Sequence, residues 1–499
     1  MNRGSDTMGS VLDWLDQASV IFPERTAVSD GAESLTFRQL RRKVNALAWF
    51  LYDRGVTGRA VGLYAQRRAA VIVGMLACAA SGNCYVPLNP QAPDSKNAKI
   101  IAHAHVSHIL GFGENEYKGE AEGAEYLAYD GLDIIERDDA PPVKVSERDT
   151  LYIIYTSGST GEPKGIRKSH GAVMNFVEAY VKALNFGAEE ILGNQTPFCF
   201  DASAKDIYLM LRTGAHLEII PSEKFAFPVT LIEYLNEKKI TFLSWVPSAL
   251  AIVARLRTFR DILPQTVRRV CFVGEVFPIK DLAAWMEALP DIQYINLYGS
   301  SELAGICCMY PIPGAEPLPP ALPIGKPLEN TRVYLYEDGK IVPDQGEMLV
   351  ESGALADEYI GDPTRTAQTF MDIEIDGQTR RVLRTGDWAR YDEAGNLVFI
   401  SRGDGQIKYK GYRIELGEIE AAVNALEHIG QACCLYNAEK ERITVFCTSS
   451  REGLKLRDLN EELADKLVDY MLPRRLVVLD EMPLNANGKI DRTYLKTLL

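Results

Sequence analysis

The sequence of 499 residues predicts an α/β protein. We expect a large N-terminal α/β domain with mixed and parallel sheets and a small C-terminal α+β domain on a hinge. At about 150 residues per domain, this length allows roughly three domains, or one large and one small domain. Short apolar runs such as 151–155 and 270–273 predict buried strands. Helical patterns follow these runs, and such alternation is typical of a largely parallel sheet.

The pattern changes near residue 400, where a predicted hairpin at 390–400, with its turn at 393–396, precedes a short polar stretch rich in glycine. A compact unit of helix and strand patterns follows. We therefore place the large domain at 1–400, the hinge at 401–404 and the mobile small domain at 405–499. The alternative is a surface turn within one domain. In the small domain we predict helices at 418–429 and 456–470 and strands at 432–436 and 443–447.

Composition excludes several classes of protein. The formal net charge is −14, and no basic residues form a stripe, so we expect no nucleic-acid and no membrane partner. The nine cysteines contain no Cys-x-x-Cys pair, which indicates reduced thiols and a cytoplasmic protein. The first ten residues lack the apolar core of a signal peptide, and the apolar run at 69–80 is too short to cross a bilayer.

The most specific motif is the segment 155–165. It follows a predicted strand and combines glycines with four hydroxyl side chains, so that backbone N–H groups and hydroxyls can converge on one anion. Lys164 adds a point charge suited to phosphate. Pro163 and Glu162 separate Gly161 from this lysine, so the spacing of a Walker A loop is not met. The residues expected to hold phosphate are Thr156, Ser157, Gly158, Ser159, Thr160, Gly161 and Lys164.

Four further clusters suit a nucleotide site. After another predicted strand, Tyr298 offers an aromatic face to a base, Ser301 a hydroxyl and Glu302 a carboxylate oxygen for Mg²⁺. Asp387, in a glycine turn, can accept hydrogen bonds from ribose hydroxyls. Taken alone, each cluster could equally be a surface turn with solvated charges. The last two clusters, with lysines on glycine turns, are 402–415 and 483–492.

In this order and spacing, the five clusters resemble the motifs of the adenylate-forming superfamily. That group comprises acyl-CoA synthetases, luciferases and the adenylation domains of nonribosomal peptide synthetases. The resemblance runs from 35–40 to Lys489, nearly the whole chain. Segments 200–203 and 274–278 make the resemblance closest to free-standing amino-acid-activating enzymes such as D-alanine–carrier protein ligases. The resemblance implies the adenylate-forming fold, with a mobile C-terminal domain.

The resemblance implies a two-step reaction with ATP and Mg²⁺. A carboxylate attacks the α-phosphorus to give an acyl-adenylate, and a thiol then displaces AMP. Joining two anions requires cations and N–H donors aimed at the phosphorus, so Lys489 is the implied catalytic cation and Glu302 the Mg²⁺ ligand. The small domain is expected to rotate about Asp404 between the steps, bringing the loop 408–411 over the site. The implied nucleotide contacts are Asn296 and Tyr298 on adenine, Ser301 on the α-phosphate, and Asp387 and Arg402 near the ribose.

The resemblance also implies an acyl pocket. Asp201 stands where amino-acid-activating enzymes keep a carboxylate for the α-ammonium of the substrate. The alternative is an aspartate that caps the following helix. Lys205 favours an acidic amino acid of the glutamate or aspartate type, unless it pairs with another acidic group such as the neighbouring Asp206. The next prediction is a small neutral amino acid such as alanine, glycine or serine. The implied pocket residues are Asp201, Ala202, Lys205, Ser244, Cys271, Val273, Leu297, Gly305 and Ile306.

The source of the thiol follows from the end of the chain. The sequence ends ten residues after Lys489 without a carrier domain, so we expect the phosphopantetheine of a separate carrier protein, in trans. The predicted function is amino-acid adenylation followed by this transfer. One alternative is an acyl-CoA synthetase that uses coenzyme A and has a lone structural Asp201. The other, of a different class, is a non-catalytic nucleotide-binding sensor.

Overall fold

A computed structural model of the chain describes residues 9–65, 67–113, 116–121, 123–156, 162–314, 317–319, 321–402, 406–483 and 490–499. Within these ranges the chain forms three large sheets and two small ones, with helices packed on the sheets. The predicted architecture, a large N-terminal α/β part and a smaller C-terminal α+β part, is confirmed. The predicted hinge lies partly outside the described residues, so the domain bounds stay a prediction.

One large sheet has seven strands and carries both ends of the segment predicted to hold phosphate. Most of its pairs are parallel. The strand that ends at Thr156 instead pairs antiparallel with the strand that begins at Lys164, and these two residues lie directly opposite each other. In spatial order the strands are Glu358–Tyr359, Lys164–Ser169, Thr150–Thr156, Cys84–Leu88, Ala60–Ala65, Val106–Phe112 and Glu125–Ala128.

A second sheet has nine strands, parallel in the middle and antiparallel at both edges. Parallel strands end at the same edge of a sheet, so the residues that follow Trp245 and Val273 come close to Gly299. In spatial order the strands are Lys326–Pro327, Ile306–Pro311, Gln293–Gly299, Arg269–Val273, Phe242–Trp245, Ile191–Asn194, His216–Ile219, Thr26–Ser29 and Ser34–Thr36.

The helices of the N-terminal part cover these two sheets. Helix Ala69–Ala80 is buried along its whole length, which explains its uninterrupted apolar sequence. Helix Phe37–Asp53 begins with a capping box, because Thr36 and Gln39 each accept a hydrogen bond from the backbone N–H of the other. No helix of the described residues is long and apolar enough to span a membrane. The other helices are Leu12–Ile21, Asp94–His103, His170–Leu184, Ala204–Thr213, Pro228–Glu237, Pro247–Arg255, Ile279–Ala288 and Pro363–Thr369.

The third large sheet is antiparallel and places Asp387 directly opposite Arg402 on adjacent strands. The hairpin predicted at 390–400 is confirmed, since Arg390 pairs with Val398 on either side of the turn. The sheet therefore joins two of the residues expected near the ribose. Its strands are Lys340–Val342, Thr331–Glu337, Gln345–Ser352, Gln378–Tyr391, Phe370–Ile375 and Leu397–Arg402.

The C-terminal part has a core of its own. Both predicted strands are confirmed, but the two predicted helices end earlier, at Asn424 and Leu463. Leu426 and Leu467 lie beyond these ends and still pack into the same core. The apolar spacing therefore continues past the end of each helix, which is why it predicted longer helices. We call the strands Gln406–Tyr409 and Tyr412–Glu415 the C-terminal hairpin. The other elements are strands Ile429–Asn437, Arg442–Ser449 and Arg475–Val478, and helices Leu416–Asn424, Leu456–Leu463 and Arg492–Lys496.

All nine cysteines lie in the described residues and carry free thiols, as predicted. The sulfur atoms of the adjacent Cys307 and Cys308 are 4.0 Å apart, whereas a disulfide bond measures about 2.05 Å. Seven of the nine are buried, where a thiol packs as a small apolar group.

Candidate active site

Strand ends of the two largest sheets meet at a cavity of about 190 Å³, which we call the central cavity. Thr156, Val273 and Gly299, each at the carboxyl end of its strand, contribute to its wall. The C-terminal hairpin closes another side of the cavity through Lys408 and the adjoining Gly411. Crevices at the carboxyl ends of strands are where α/β proteins bind ligands. The central cavity is therefore the candidate active site.

Residues predicted for the nucleotide and for the acyl group line the central cavity side by side, and Arg402 also lines an adjoining cavity. Those in the central cavity are Thr156, Asp201, Ala202, Lys205, Val273, Ser301, Gly305, Ile306 and Arg402. Those in the adjoining cavity are Lys164, Glu302 and Arg402. The residues that line neither of the two cavities are Ser244, Cys271, Asn296, Leu297, Tyr298 and Asp387. Predicted residues outside the described part are Ser157, Gly158, Ser159, Thr160, Gly161, Asp404 and Lys489.

Three residues expected near the nucleoside form one hydrogen-bonded group. The Tyr298 hydroxyl donates to the Asp387 carboxylate, whose Oδ1 accepts from Arg402 Nη1 at 2.8 Å. Burial raises the pKa of Tyr298 well above its ordinary value, which keeps the hydroxyl protonated as a donor. Asn296 donates Nδ2 to the carbonyl of Pro323 at 2.8 Å. The group is thus ordered by contacts within the chain, at the edge where two sheets meet.

The two charged residues expected at the phosphates are paired with the C-terminal hairpin. Lys164 Nζ lies 2.7 Å from Glu415 Oε1, and Arg413 Nη1 lies 2.8 Å from Glu302 Oε2. Burial lowers the pKa of Lys164 despite this partner. Burial alone would raise the pKa of Glu302, but the Arg413 guanidinium outweighs that effect and holds this pKa well below its ordinary value. Each of the two residues thus has a partner of opposite charge in the hairpin.

The contacts of Glu302 decide whether it can hold Mg²⁺ in this arrangement. Its Oε2 accepts from Arg413, and its Oε1 accepts from the Tyr359 hydroxyl at 2.5 Å. Mg²⁺ needs carboxylate oxygens at about 2.1 Å and cannot share them with a guanidinium at the same position. The residues present do not fit the ion here. Among the described residues, no group of three or more His, Cys, Asp or Glu side chains could hold a metal.

The C-terminal hairpin is anchored at the rim of the central cavity. The backbone N–H of Gly411 donates to Glu275 Oε1 at 2.5 Å. The Lys408 ammonium lies 5.8 Å from the centre of the Tyr298 ring, and burial lowers the pKa of this lysine. Beside it, the rings of Tyr412 and Tyr470 stack with their centres 3.8 Å apart. The loop expected over the site after rotation of the small domain is thus the one that the structure places there.

The acyl side holds a cation that the sequence motifs did not identify. Lys168 is fully buried, and its Nζ lies 2.5 Å from Asp201 Oδ1 and 2.6 Å from the carbonyl oxygen of Leu303. The Tyr152 hydroxyl donates to the same Oδ1 at 2.8 Å. Lys168 stands two residues after the buried Ile166 on one strand, so it shares an inward face. A lysine at an inward-facing position of the strand was the signal in the sequence that could have revealed this buried cation.

Lys205 lines the central cavity, but its ammonium already has partners within the chain. It donates to the carbonyl oxygens of Ala202 at 3.1 Å and Ser244 at 3.0 Å, and it pairs with Asp206 Oδ1 at 3.1 Å. Of the three ammonium protons, two are donated to carbonyl oxygens, and Asp206 balances the charge. Asp206 also accepts from Asn194 Nδ2 at 3.0 Å. Pairing with Asp206 was the alternative to an acidic substrate, and it is the geometry observed.

The fold and the cavity define an enzyme of the adenylate-forming class. A large α/β part supplies the strand ends, and a small C-terminal part covers them. The chain belongs to the AMP-binding enzyme family, because that family's model matches residues 15–360. The model of the AMP-binding enzyme C-terminal domain matches residues 418–489.

Similar proteins include several that are named as synthases. Zwittermicin A synthase ZmaJ of Bacillus cereus is 30% identical over 491 residues, which cover 95% of this chain and 92% of that protein. Tyrocidine synthase 1 of Brevibacillus parabrevis is 29% identical over 503 residues, which cover 97% of this chain and 45% of that protein. The chain spans only 6%, 13% and 9% of the length of three other such relatives, at 33%, 29% and 29% identity.

Solved structures show the same fold. Holo-PA1221, an NRPS protein containing adenylation and PCP domains, has a TM-score of 0.85 at 24% identity and covers 98% of this chain and 84% of its own. o-Succinylbenzoate CoA synthetase (MenE) from Bacillus subtilis has a TM-score of 0.84 at 21% identity, covering 97% and 98%. At these identities the likeness concerns the fold alone. The chain is an adenylate-forming ligase, similar to adenylation domains of nonribosomal peptide synthetases.

Proposed function

We propose that this chain activates a carboxylic acid with ATP and passes the acyl group to the phosphopantetheine thiol of a separate carrier protein. In the first step a carboxylate oxygen bonds to the α-phosphorus, and the bond from that phosphorus to the bridging oxygen of the β-phosphate breaks, releasing pyrophosphate. In the second step the sulfur bonds to the acyl carbon, the bond from that carbon to the AMP oxygen breaks, and the thiol proton passes to water.

One observation carries the proposal. Thr156, Ser301 and Arg402 come from three separate segments, yet they line the same cavity as Asp201 and Gly305. This places groups suited to phosphate and ribose beside the expected acyl pocket. An acid bound there can approach the α-phosphorus without further diffusion, and holding two reactants in this way lowers the barrier substantially.

The position of the C-terminal hairpin supports assigning the present arrangement to the second step. Lys164 and Glu302 are paired with Glu415 and Arg413 of the hairpin, so neither is available to pyrophosphate or Mg²⁺. The first step then requires the hairpin to leave, which rotation about Asp404 would achieve. In that other arrangement Glu302 is proposed to hold Mg²⁺, which supplies positive charge to the phosphate oxygens.

Acid-dependent exchange of pyrophosphate into ATP tests the first step. The panel contains L, D and β amino acids and acids without an amino group, each with ATP and Mg²⁺. We expect exchange with a narrow set of acids. If the protein binds nucleotide but catalyses exchange with none of these acids, the proposal is contradicted and a non-catalytic nucleotide-binding sensor is favoured.

The acceptor is tested separately, with the best acid from the exchange panel. A phosphopantetheinylated carrier protein and coenzyme A are compared at equal concentration, and thioester formation is followed by mass spectrometry. We expect acylation of the carrier. Acylation of coenzyme A alone would contradict transfer to a carrier and favour an acyl-CoA synthetase.

The amino-acid substrate is a finer prediction. An acidic side chain was expected because of Lys205, whose two hydrogen bonds and ion pair with Asp206 now weigh against it. The acidic hypothesis requires that Lys205→Met shift the ranking of acids toward neutral side chains. An unchanged ranking would remove it and leave the small neutral amino acids and the acids without an amino group.

A further inference from the structure

Lys168 and Asp201 form a neutral pair inside the acyl side of the central cavity. Lys168 is inaccessible to solvent, and its side chain extends from an interior strand of the seven-stranded sheet. It occupies Asp201 Oδ1 and the carbonyl oxygen of Leu303, two acceptors that an ammonium near this carboxylate would use. Burial lowers the pKa of Lys168 and raises that of Asp201, whereas their mutual attraction opposes both changes. The positive charge of Lys168 and the negative charge of Asp201 therefore balance each other within the protein.

The charges of the cavity wall also disfavour an ammonium on the substrate. Among the lining residues that the structure describes, Asp201 is the one carboxylate. The other charged lining residues are all cations, so none of them offers a counter-charge to an additional ammonium. They are Lys96, Lys205, Arg402, Lys408 and Arg413.

An α-ammonium would lose its own counter-charge during the reaction. In a free amino acid the carboxylate balances the ammonium, but adenylation converts that carboxylate into a neutral acyl group. The ammonium then needs a carboxylate from the protein, since a buried charge without a partner is strongly unfavourable. Asp201 would be that partner, and Lys168 already uses it.

We propose that the acid activated by this chain carries no ammonium next to its carboxyl group, because Lys168 supplies within the protein the positive charge that such an ammonium would bring to Asp201. The inference rests on the proposed adenylation. Asp201 Oδ2 accepts no hydrogen bond from the described residues, and Asp201 lines the cavity. The substrate class is therefore a carboxylic acid with a neutral donor at that position, a hydroxyl or an aromatic amine.

Matched sets of acids test this on the full chain. Each set keeps one side chain and changes the group beside the carboxyl: L-alanine, L-lactate and propionate, or L-phenylalanine, L-phenyllactate and 3-phenylpropionate. A third set, 2-aminobenzoate, salicylate and benzoate, has no ammonium at pH 7.5. We expect kcat/KM for pyrophosphate exchange to be at least tenfold higher for the best acid without an ammonium than for the best amino acid. A smaller difference, or a preference for the amino acid, would overturn the inference.

Lys168→Met tests the residue directly, because it removes the charge at similar length and leaves Asp201 free for an ammonium. We expect the ratio of kcat/KM for L-alanine to that for L-lactate, or for the corresponding phenyl pair, to rise at least tenfold. The matched control is Lys182→Met on the exposed part of helix His170–Leu184, whose ion pair with Glu329 lies at the surface. An unchanged ratio in folded Lys168→Met would overturn the role of Lys168.

The double variant Lys168→Met/Asp201→Asn keeps the inference testable if the single variant does not fold. It removes both buried charges together. We expect kcat/KM with the preferred acid to fall by no more than tenfold, because the amide oxygen of the introduced asparagine can still accept a hydrogen bond from the neutral donor of that acid. A loss of more than tenfold in a variant with an unchanged melting temperature would overturn the inference. If the wild type exchanges pyrophosphate with amino acids alone, the inference fails but the proposed function stands. If it exchanges pyrophosphate with no acid, both fail.

Discussion

Buried ion pairs occur on both sides of the central cavity, but they differ in what holds the partners. On the phosphate side, Lys164 and Glu302 of the large part pair with residues of the C-terminal hairpin. On the acyl side, Lys168 pairs with Asp201, and both belong to the large part. A pair between two parts of the chain would open if one part moved, whereas a pair within the large part would not be affected by such a movement.

The difference separates the site predictions that depend on movement of the hairpin from the one that does not. Under the proposed rotation of the small domain, the partners of Lys164 and Glu302 would leave with the hairpin, and the two residues would become available to phosphate and Mg²⁺. Asp201 cannot be freed in this way, because Lys168 is carried on an interior strand of the large part. We therefore expect the motifs to predict the roles of Lys164 and Glu302 better than that of Asp201.

The largest effect is expected from Lys489→Ala, which removes the cation proposed for the first-step arrangement. Pyrophosphate exchange should fall by a factor on the order of 10²–10³ or more, as when a preorganised charge stabiliser is removed. Transfer of the acyl group from a preformed adenylate to the carrier should be spared, because rotation of the small domain is expected to withdraw this residue before the second step. Equal loss of both half-reactions would contradict the assignment.

The fixed pair is tested by Asp201→Asn, which leaves the Lys168 ammonium buried without its carboxylate. Removing one partner of a buried pair costs about 3–5 kcal/mol, so the urea midpoint should drop clearly. Lys168→Met/Asp201→Asn should recover most of the loss. As a surface comparison, Glu329→Gln breaks the exposed pair with Lys182 and should cost less than about 1 kcal/mol. Similar losses for the buried and surface pairs would refute the buried ion pair.

A pH titration tests the packing at the end of strand Lys164–Ser169, which carries Lys168. His170 follows that strand and is 1% exposed, and burial lowers its pKa to about 4. In the unfolded chain its pKa is about 6.5, so the neutral folded form contributes stability above pH 6.5 that is lost as the pH falls toward 4. The free energy of unfolding should decrease by up to about 3 kcal/mol over this interval.

Urea unfolding at pH 7.5, 5.5 and 4.5 measures this decrease, and His170→Gln serves as its control. The variant should show a weaker dependence on pH, because the glutamine does not titrate. An identical dependence in both proteins would show that other groups cause the effect.

The smallest effect is expected from Arg413→Met, which removes the movable partner of Glu302. Thioester formation should fall about tenfold, equivalent to about 1.4 kcal/mol, since the hairpin loses a contact that exists only in the present arrangement. Pyrophosphate exchange should change by less than about threefold. If exchange falls as much as thioester formation, the pair is not specific to the second step.

Much of the fold could be predicted because it depends on local patterns. Strand–helix alternation gave the α/β class, and the hairpin near 390–400 was located by its turn residues. Helix ends were less predictable: the apolar spacing carried on past Asn424 and Leu463, since residues in the following turns face the same core. Spacing reports which side is buried, and it does not report where the backbone changes conformation.

By itself the sequence determined which segments surround the candidate site, because glycines, hydroxyls and charges follow strands whose ends meet at a sheet edge. Only the tertiary structure decided which charges remain available. Lys168 and Asp201 are distant in sequence, and their contact depends on the face of the strand from which Lys168 projects and on the 3-10 helix Asp201–Ser203 that carries Asp201. Residue types are written in the chain, whereas the partners of a buried charge are set by packing between elements, and those partners determine what the charge can bind.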